Sequence, residues 1–155
     1  MIEWINENFG TNFDEEQLTN IKDFSLLWNI FENLVCGNNC TVNRLDERLK
    51  SVKFQIEEFQ DNFQYSKDRY TEKGTTNARF ENLNLRRGDR KEFVANVLSR
   101  SEDITSDIVF ALLIIVYRYR NNLFHGLKDF MQFDQQVENF KNANQVLKSV
   151  LKHFH

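Results

Sequence analysis

The strongest constraint on the fold is an uninterrupted apolar run, IVFALLIIVY, from Ile108 to Tyr117. A segment that is apolar on nearly every face has no side to present to water, so we expect it at the centre of the fold. A membrane-spanning helix needs roughly twenty such residues, about twice the length of this run. Residues 101–107 before it are rich in the capping and acidic residues that favour a helix N-terminus. We therefore predict a buried helix from Thr105 or Ser106 to Tyr119.

Apolar side chains spaced three and four residues apart predict further helices around this one. The first runs from about Asp14 to Val35 and is ended by Gly37 and the two asparagines that follow it. An unbroken pattern from Val42 to Phe63 predicts one long helix, which packs either in a bundle core or across a dimer. A shorter helix is expected from Asp89 to about Arg100, and a last one from about Asp129 to Phe154. The chain has no proline that would force any of these helices to break.

The remaining segments offer no sign of a β-sheet. Tyr70 to Asn77 shows no periodicity and is expected to form a loop, and no segment of useful length alternates apolar and polar residues. With 41% hydrophobic and 28% charged residues, the chain has the composition of a globular protein. A length of 155 residues suits one domain with a proper core. We predict an all-α bundle of four or five helices, forming a single domain over residues 1–155.

The two cysteines, Cys36 and Cys40, are separated by Gly-Asn-Asn. They could form a disulfide, or half of a zinc site together with His153 and His155. Structural zinc sites usually show two paired ligand clusters at short spacings, which this arrangement does not match.

The first residues lack the basic start and apolar core of a signal peptide, so we expect a cytoplasmic protein with no membrane association. Thiols stay reduced there, so we interpret both cysteines as free. We also expect no metal and no other cofactor.

The residues with the most chemical potential directly follow the apolar run. Arg120 carries a permanent charge and a planar fork of donors that suits phosphate oxygens. His125 can take and give a proton near neutral pH, and Asn121 and Asn122 can orient either side chain. In an ideal helix Arg120 and His125 lie about 140° apart around the axis. They converge only if the backbone departs from the helix between them or if two copies of the chain contribute. The alternative is a helix-terminating histidine and an ordinary surface ion pair between Arg120 and Glu32.

A second basic group lies earlier in the chain. The net charge of −3 creates no general attraction for nucleic acid, so any such binding must rest on a local patch. The cluster Arg86, Arg87, Arg90 and Lys91 is the main concentration of positive charge outside the stretch after the apolar run. It is either a solvated face or a surface that binds a polyanion.

The hexapeptide RNNLFH at 120–125 resembles the Arg-(four to six residues)-His motif of the HEPN superfamily, in which a polar residue, commonly Asn, follows the arginine. Arg118 also satisfies the looser spacing, but we prefer Arg120 because Asn121 follows it. Chain length, the all-helical pattern and the position of the motif at the end of a late helix agree with this family. An acidic residue in an early helix often faces the motif in the family, and Glu32 is the candidate here.

The resemblance implies a homodimeric, metal-independent endoribonuclease that cleaves single-stranded RNA. The 2′-hydroxyl attacks the adjacent phosphorus and leaves a 2′,3′-cyclic phosphate and a 5′-hydroxyl. The implied catalytic residues are His125 as general acid or base, Arg120 as the group that stabilises phosphoryl charge, and Asn121 as an orienting residue. Glu32 would position Arg120, with Arg118 and Asn122 in support. RNA contacts are expected from the basic cluster at 86–91 and from Lys128.

The family also implies a biological setting, namely a toxin of a toxin-antitoxin pair or an antiviral defence effector. Its partners would be RNA, a second copy of the chain, and an antitoxin or a larger defence-complex protein. One subgroup carries a tyrosine two residues after the histidine, which a nucleotidyltransferase antitoxin modifies. Leu127 occupies that position here, so neutralisation of that kind is not expected.

Two other functions remain open from the sequence. The chain could be a non-catalytic HEPN module that dimerises and binds RNA, nucleotide or protein. It could also be a plain helical adaptor in which the motif is a coincidence. Cleavage of RNA in the presence of EDTA, and its loss on His125→Ala substitution, would distinguish the enzyme from both of these non-catalytic alternatives.

Overall fold

The structure, a computed structural model, describes residues 1–100, 104–124 and 136–155. Most of these residues are helical, in eight α-helices and two short 3₁₀ turns, and one two-stranded hairpin is present. The elements are α1 (Ile2–Phe9), α2 (Glu15–Leu34), α3 (Val42–Leu49), α4 (Gln60–Tyr70), β1 (Thr71–Glu72), β2 (Thr75–Thr76), α5 (Ala78–Glu81), α6 (Lys91–Ser99), α7 (Thr105–Phe124) and α8 (Val137–Leu151). The all-α prediction is confirmed. The described residues form eight α-helices instead of the four or five predicted. The helix predicted from Val42 to Phe63 is divided into α3 and α4, and the short helices α1 and α5 were not predicted.

Helix α7 lies at the centre of the fold, as predicted. Every residue from Ile108 to Val116 is buried, and α7 contacts α3, α4, α6 and α8. Burying one Leu or Ile side chain contributes about 1.5–3 kcal/mol, so this run supplies much of the driving force for folding. The helix continues to Phe124, beyond the predicted end at Tyr119, so residues 120–124 of the motif are helical. In the described part of the chain, no helix is both long and apolar enough to span a bilayer.

Helix α2 has the boundaries that its sequence predicts. The Asp14 carboxylate accepts a hydrogen bond from the Gln17 backbone N–H at 2.7 Å, and the Gln17 side chain accepts one from the Asp14 N–H at 3.0 Å. This reciprocal pair satisfies two backbone donors that the first turn leaves unpaired. At the other end, Gly37 and Asn38 have φ values of 64° and 68°, the left-handed geometry that ends a helix. Between these ends α2 packs along α8.

The predicted single helix from Val42 to Phe63 is wrong. The structure has α3 and α4 instead, joined by residues 50–59. Phe54 and Phe59 are both buried in this connection, with ring centroids 5.6 Å apart in an edge-to-face contact. The Gln55 N–H donates to the Glu58 carboxylate at 3.3 Å, which starts a new helical turn inside the apparent pattern. Both helices bury one face, so the three-and-four spacing of apolar residues continues from α3 into α4. The spacing therefore does not show that the chain changes direction between them.

The other connections differ less from expectation. Residues 70–77, predicted to be a loop, contain a hairpin in which Thr71 pairs with Thr76. Lys73 and Gly74 have φ values of 53° and 79°, as a two-residue type I′ turn requires. Helix α6 confirms the predicted helix at 89–100 within two residues at each end. Of the predicted last helix, residues 129–135 lie outside the described residues, and α8 begins at Val137.

The interpretation of the cysteines as free thiols is contradicted by the structure. Cys36 and Cys40 are joined as a disulfide, with Cα atoms 5.0 Å apart, and both are buried. The left-handed residues after Cys36 fold the chain back within a few residues and bring the two sulfur atoms together. The zinc alternative does not form either, since the His153 imidazole lies 3.1 Å from the Glu58 carboxylate. Across the described ranges no group of three or more His, Cys, Asp or Glu side chains is arranged around a possible metal position.

Candidate functional site

The two arginines of the motif stretch occupy opposite sides of α7. Arg118 and Arg120 are two residues apart, which places them about 200° apart around a helix. The Arg118 side chain is only 3% exposed, whereas Arg120 is half-buried. The sequence shows two similar arginines, but the fold gives them different environments.

Arg118 is held in a buried ion pair. Its Nη1 lies 3.2 Å from the Asp89 Oδ2, and its Nε donates to the Asn122 Oδ1 at 3.2 Å. A guanidinium this deep, with its charge already balanced, has no face to offer to a phosphate in solvent. Arg118 therefore serves the fold, and the alternative in which it is the arginine of the motif has no geometric basis here.

Asn122 and Asp89 extend this contact into a network. The Asn122 Nδ2 donates to the Leu83 carbonyl at 3.2 Å, and the Asp89 Oδ2 also accepts from the Arg86 N–H at 2.9 Å. We call the set of Asp89, Arg118, Asn122 and the Leu83 carbonyl the Asp89 clasp. Asn122 is 2% exposed and supports this clasp rather than Arg120. Removing one partner from a buried ion pair costs about 3–5 kcal/mol, so the clasp matters for folding.

Arg120 keeps donors available. Its Nη1 donates to the Asn121 Oδ1 at 3.1 Å, and its guanidinium carbon lies 5.5 Å from the centre of the Phe124 ring. Its Nε is buried and makes no hydrogen bond within the described part of the chain. No carboxylate lies within 4.0 Å of it among those residues. A guanidinium that is held in place by a neighbouring amide and an aromatic ring, and that has no counter-ion among the described residues, is suited to an incoming anion.

Glu32 does not contact Arg120 in the described structure. Its carboxylate accepts a long hydrogen bond of 3.4 Å from the Cys40 N–H, and its backbone carbonyl accepts from the N–H groups of Cys36 and Asn38. Glu32 therefore stabilises the turn after α2. The predicted positioning of Arg120 by Glu32 has no contact to support it within one copy of the chain.

His125 and Lys128 lie outside the described residues. The backbone from Arg120 to Phe124 is helical throughout. The departure from helix that would let Arg120 and His125 converge is therefore not found at residues 121–124. The route to convergence that uses two copies of the chain needs no such departure.

Two members of the basic cluster are engaged in ion pairs. Arg90 lies 3.1 Å from the Asp46 carboxylate, with its guanidinium carbon 5.0 Å from the centre of the Phe110 ring. The Lys91 Nζ lies 2.6 Å from the Glu81 carboxylate. Both side chains are partly exposed, so these pairs contribute at most about 1 kcal/mol each. The neutralised charges nevertheless make Arg90 and Lys91 weaker attractants for RNA than the sequence predicts.

Arg86 and Arg87 are the other two members, and both are exposed. They lie in the segment that the Asp89 clasp attaches to α7. The clasp thus brings the basic cluster next to the last two turns of the motif helix, a proximity that the sequence did not predict. The signal that could have found it is Asp89 itself, a lone acidic residue inside the basic run RRGDRK at 86–91.

A group of buried phenols was also missed from the sequence. The hydroxyl groups of Tyr70 on α4 and Tyr119 on α7 are hydrogen-bonded to each other. Burial raises the pKa of Tyr70 to about 12, and burial raises the pKa of Tyr119 well above its ordinary value. Tyr65 donates a hydrogen bond of 2.7 Å to the Asn139 Oδ1 on α8. These neutral hydroxyl groups connect α4 with α7 and α8, so they belong to the scaffold behind the site.

The described part of the site is therefore one accessible arginine, Arg120, followed by Asn121, with two exposed arginines on the segment attached to the same helix. These residues supply hydrogen-bond donors and positive charge, the chemistry that an anionic substrate requires. The chain was compared with protein-family models, with curated proteins and with solved structures, and none of the three comparisons finds a match.

Proposed function

We propose that the protein is a metal-independent endoribonuclease of the HEPN type, which acts as a homodimer on single-stranded RNA. The observation that carries this proposal is the position of Arg120. It lies at the end of the central helix, half-buried and without a counter-ion among the described residues. Asn121 binds it, and His125 follows within the motif spacing. A role as a toxin or as a phage-defence effector belongs to the same proposal.

The proposed reaction is a transesterification within the RNA. A general base removes the proton of the 2′-hydroxyl, and the 2′ oxygen forms a bond to the adjacent phosphorus. The bond from phosphorus to the 5′ oxygen breaks, and a general acid delivers a proton to that oxygen. His125 serves as base or acid, a contribution of typically a hundred- to ten-thousand-fold. Arg120 donates hydrogen bonds to the phosphoryl oxygens as their negative charge grows.

The proposal needs two copies of the chain. Arg120 and His125 are five residues apart, and α7 stays helical through Phe124. Side chains at this spacing point about 140° apart in a helix. A second copy whose motif faces the first can place Arg120 of one chain beside His125 of the other. It also doubles the positive charge at the groove, which offsets the net charge of −3.

A non-catalytic HEPN module is the second candidate. The neutralisation of Arg90 and Lys91 by carboxylates favours the form of this module that binds a protein, because it leaves fewer free cations for RNA than the sequence implies. Such a module would dimerise and bind RNA, a nucleotide or a protein such as an antitoxin or a larger defence-complex component. It would not cleave RNA.

Incubation of the purified protein with single-stranded RNA in EDTA tests the proposal. We expect products with 2′,3′-cyclic phosphate ends, and we expect Arg120→Gln and His125→Ala to abolish them while the far-UV circular dichroism stays unchanged. Arg79→Gln is the matched control, because Arg79 is an exposed arginine on α5. Binding without cleavage by the parent protein would support the non-catalytic module. Persistent cleavage by His125→Ala would reject the assigned catalytic residue.

A further inference from the structure

The segment from Leu83 to Arg90, which we call the arginine loop, is fixed to the motif helix at both ends. At one end the Asn122 Nδ2 binds the Leu83 carbonyl at 3.2 Å. At the other end the Asp89 Oδ2 binds the Arg118 Nη1 at 3.2 Å. Asn122 and Arg118 also bind each other, so both attachments share one buried hydrogen-bond network. The loop therefore cannot move relative to α7 without exposing or unpairing a buried charge.

The backbone of the arginine loop is also internally constrained. Leu83 and Leu85 are buried and anchor its first half. Its second half is a 3₁₀ turn at Arg87–Asp89, closed by the hydrogen bond of 2.9 Å from the Arg86 N–H to Asp89. The same carboxylate oxygen thus fixes the turn and receives Arg118. Asp89 therefore both stabilises the conformation of the loop and holds the loop against α7.

The charges of the arginine loop leave two cations for a partner. Asp89 is balanced by Arg118, and Arg90 is balanced by Asp46. Arg86 and Arg87 are exposed and make no ion pair within the described residues. Two adjacent exposed guanidinium groups on an ordered turn lose little conformational freedom in their backbone when an anion binds. The ordered turn is therefore suited to binding a polyanion.

The position of the loop relative to Arg120 follows from helix geometry. At about 100° per residue, Asn121 lies on the arc between the faces of Arg120 and Arg118. The arginine loop packs on the Arg118 face, and a helix with its side chains is about 10–12 Å across. An extended strand that contacts Arg120 can therefore pass Asn121 and reach the arginine loop within a few nucleotides.

We infer that Arg86 and Arg87 form an RNA-phosphate subsite of the proposed ribonuclease and that Asp89 is the positioning residue that sets it beside the motif. Arg90 and Lys91 are excluded from this subsite. The inference rests on the proposed function for the identity of its ligand. It adds the path that the RNA takes across the protein, and it gives the buried clasp a role in substrate binding.

The subsite is tested with single-stranded RNA that carries 2′-O-methyl groups. This RNA lacks the attacking hydroxyl, so it reports binding without cleavage. Each phosphate contact to a single strand contributes about 0.7 to the slope of log affinity against log salt. We expect Arg86→Gln/Arg87→Gln to weaken binding and to reduce this slope by about 1.4. The control Lys53→Gln/Lys141→Gln removes the same charge at two exposed positions and should leave the slope unchanged. An equal slope for both double variants would overturn the subsite.

The positioning role is tested with Asp89→Asn at a temperature where circular dichroism shows it folded. We expect its salt slope to approach that of Arg86→Gln/Arg87→Gln, with KM raised and kcat at saturating RNA retained. A structural role alone would lower the melting temperature and leave the slope at its wild-type value, which would overturn the inference. If Asp89→Asn does not fold, Arg118→Ala/Asp89→Ala removes the same attachment without leaving a buried charge unpaired, and the same slope decides.

Failure of this inference is distinguishable from failure of the proposed function. If the parent protein cleaves RNA but Arg86→Gln/Arg87→Gln binds like its control, the subsite is wrong and the ribonuclease stands. If the parent protein neither binds nor cleaves RNA, both are wrong.

Discussion

The sharpest prediction concerns the two arginines of α7, because substitution of each should give an opposite result. Arg118→Ala leaves the Asp89 carboxylate, whose side chain is 11% exposed, without its counter-ion. An uncompensated buried charge costs about 3–5 kcal/mol. For a domain of this size each kcal/mol lowers the melting temperature by about 2–4 °C, so the fall should be roughly 6–20 °C.

Arg120→Ala should have a much smaller effect on stability. Among the described residues, the side chain makes one hydrogen bond to Asn121 and a cation–π contact to Phe124. At a partly exposed position such contacts contribute about 1 kcal/mol or less each. The total is at most about 2 kcal/mol, so the melting temperature should fall by no more than about 4–8 °C. RNA cleavage, in contrast, should be lost in this variant at every temperature at which it is folded.

Thermal and urea unfolding followed by circular dichroism, together with cleavage assays at 15 °C below each melting temperature, would measure both effects. Because Arg118 and Asp89 act as one unit, we expect Arg118→Ala/Asp89→Ala to lose far less than the sum of the two single losses. The reasoning would be refuted if Arg118→Ala melted within 2 °C of the parent protein and had lost its activity. That result would make Arg118 the arginine of the motif.

Three further predictions follow from the scaffold. Unfolded Tyr70 loses its proton near pH 10.0 and native Tyr70 near 12, so the native state binds more protons between these values. The free energy of unfolding should therefore fall by about 3 kcal/mol as pH rises through this window. Urea unfolding of Tyr70→Phe should show a shallower fall, and an equal one would contradict the assignment. Asp14→Ala removes the N-cap of α2 and should cost about 1 kcal/mol by urea unfolding, whereas Asp14→Asn should cost much less. Gly74→Ala, at a φ of 79° in the hairpin turn, should cost about 1 kcal/mol or more, while Gly88→Ala, which has open space around its Cβ, is the tolerant control.

The central helix could be predicted because its apolar residues leave no alternative to burial. The start of α2 could be predicted too, since the capping residues Asp14 and Gln17 are local in sequence. The break between α3 and α4 could not, because the two segments bury their apolar faces with the same spacing. What separates them is the contact of Phe54 with Phe59, which depends on the direction the chain takes after α3.

Arg118 and Arg120 could be singled out from the sequence as candidate site residues, but their different environments could not. The spacing rule admits Arg118 and Arg120 equally, and the preference for Arg120 came from the asparagine that follows it. Burial of Arg118 depends on Asp89, a residue 29 positions earlier in the chain. Contacts over such a separation are set by tertiary packing and leave no local pattern. The same limitation explains why the proximity of the basic cluster to α7 was missed.

The continuity of α7 ties the proposed chemistry of the chain to the register of its core. One helix supplies the apolar run, the inward arginine and the outward arginine without any break between them. A single residue inserted between Val116 and Arg118 would rotate everything after it by about 100°. The inward guanidinium would then turn out of reach of its carboxylate, and the outward one would swing toward the packed interior. Related chains that keep this site should therefore vary in their loops but not in the number of residues that separate the apolar run from the two arginines.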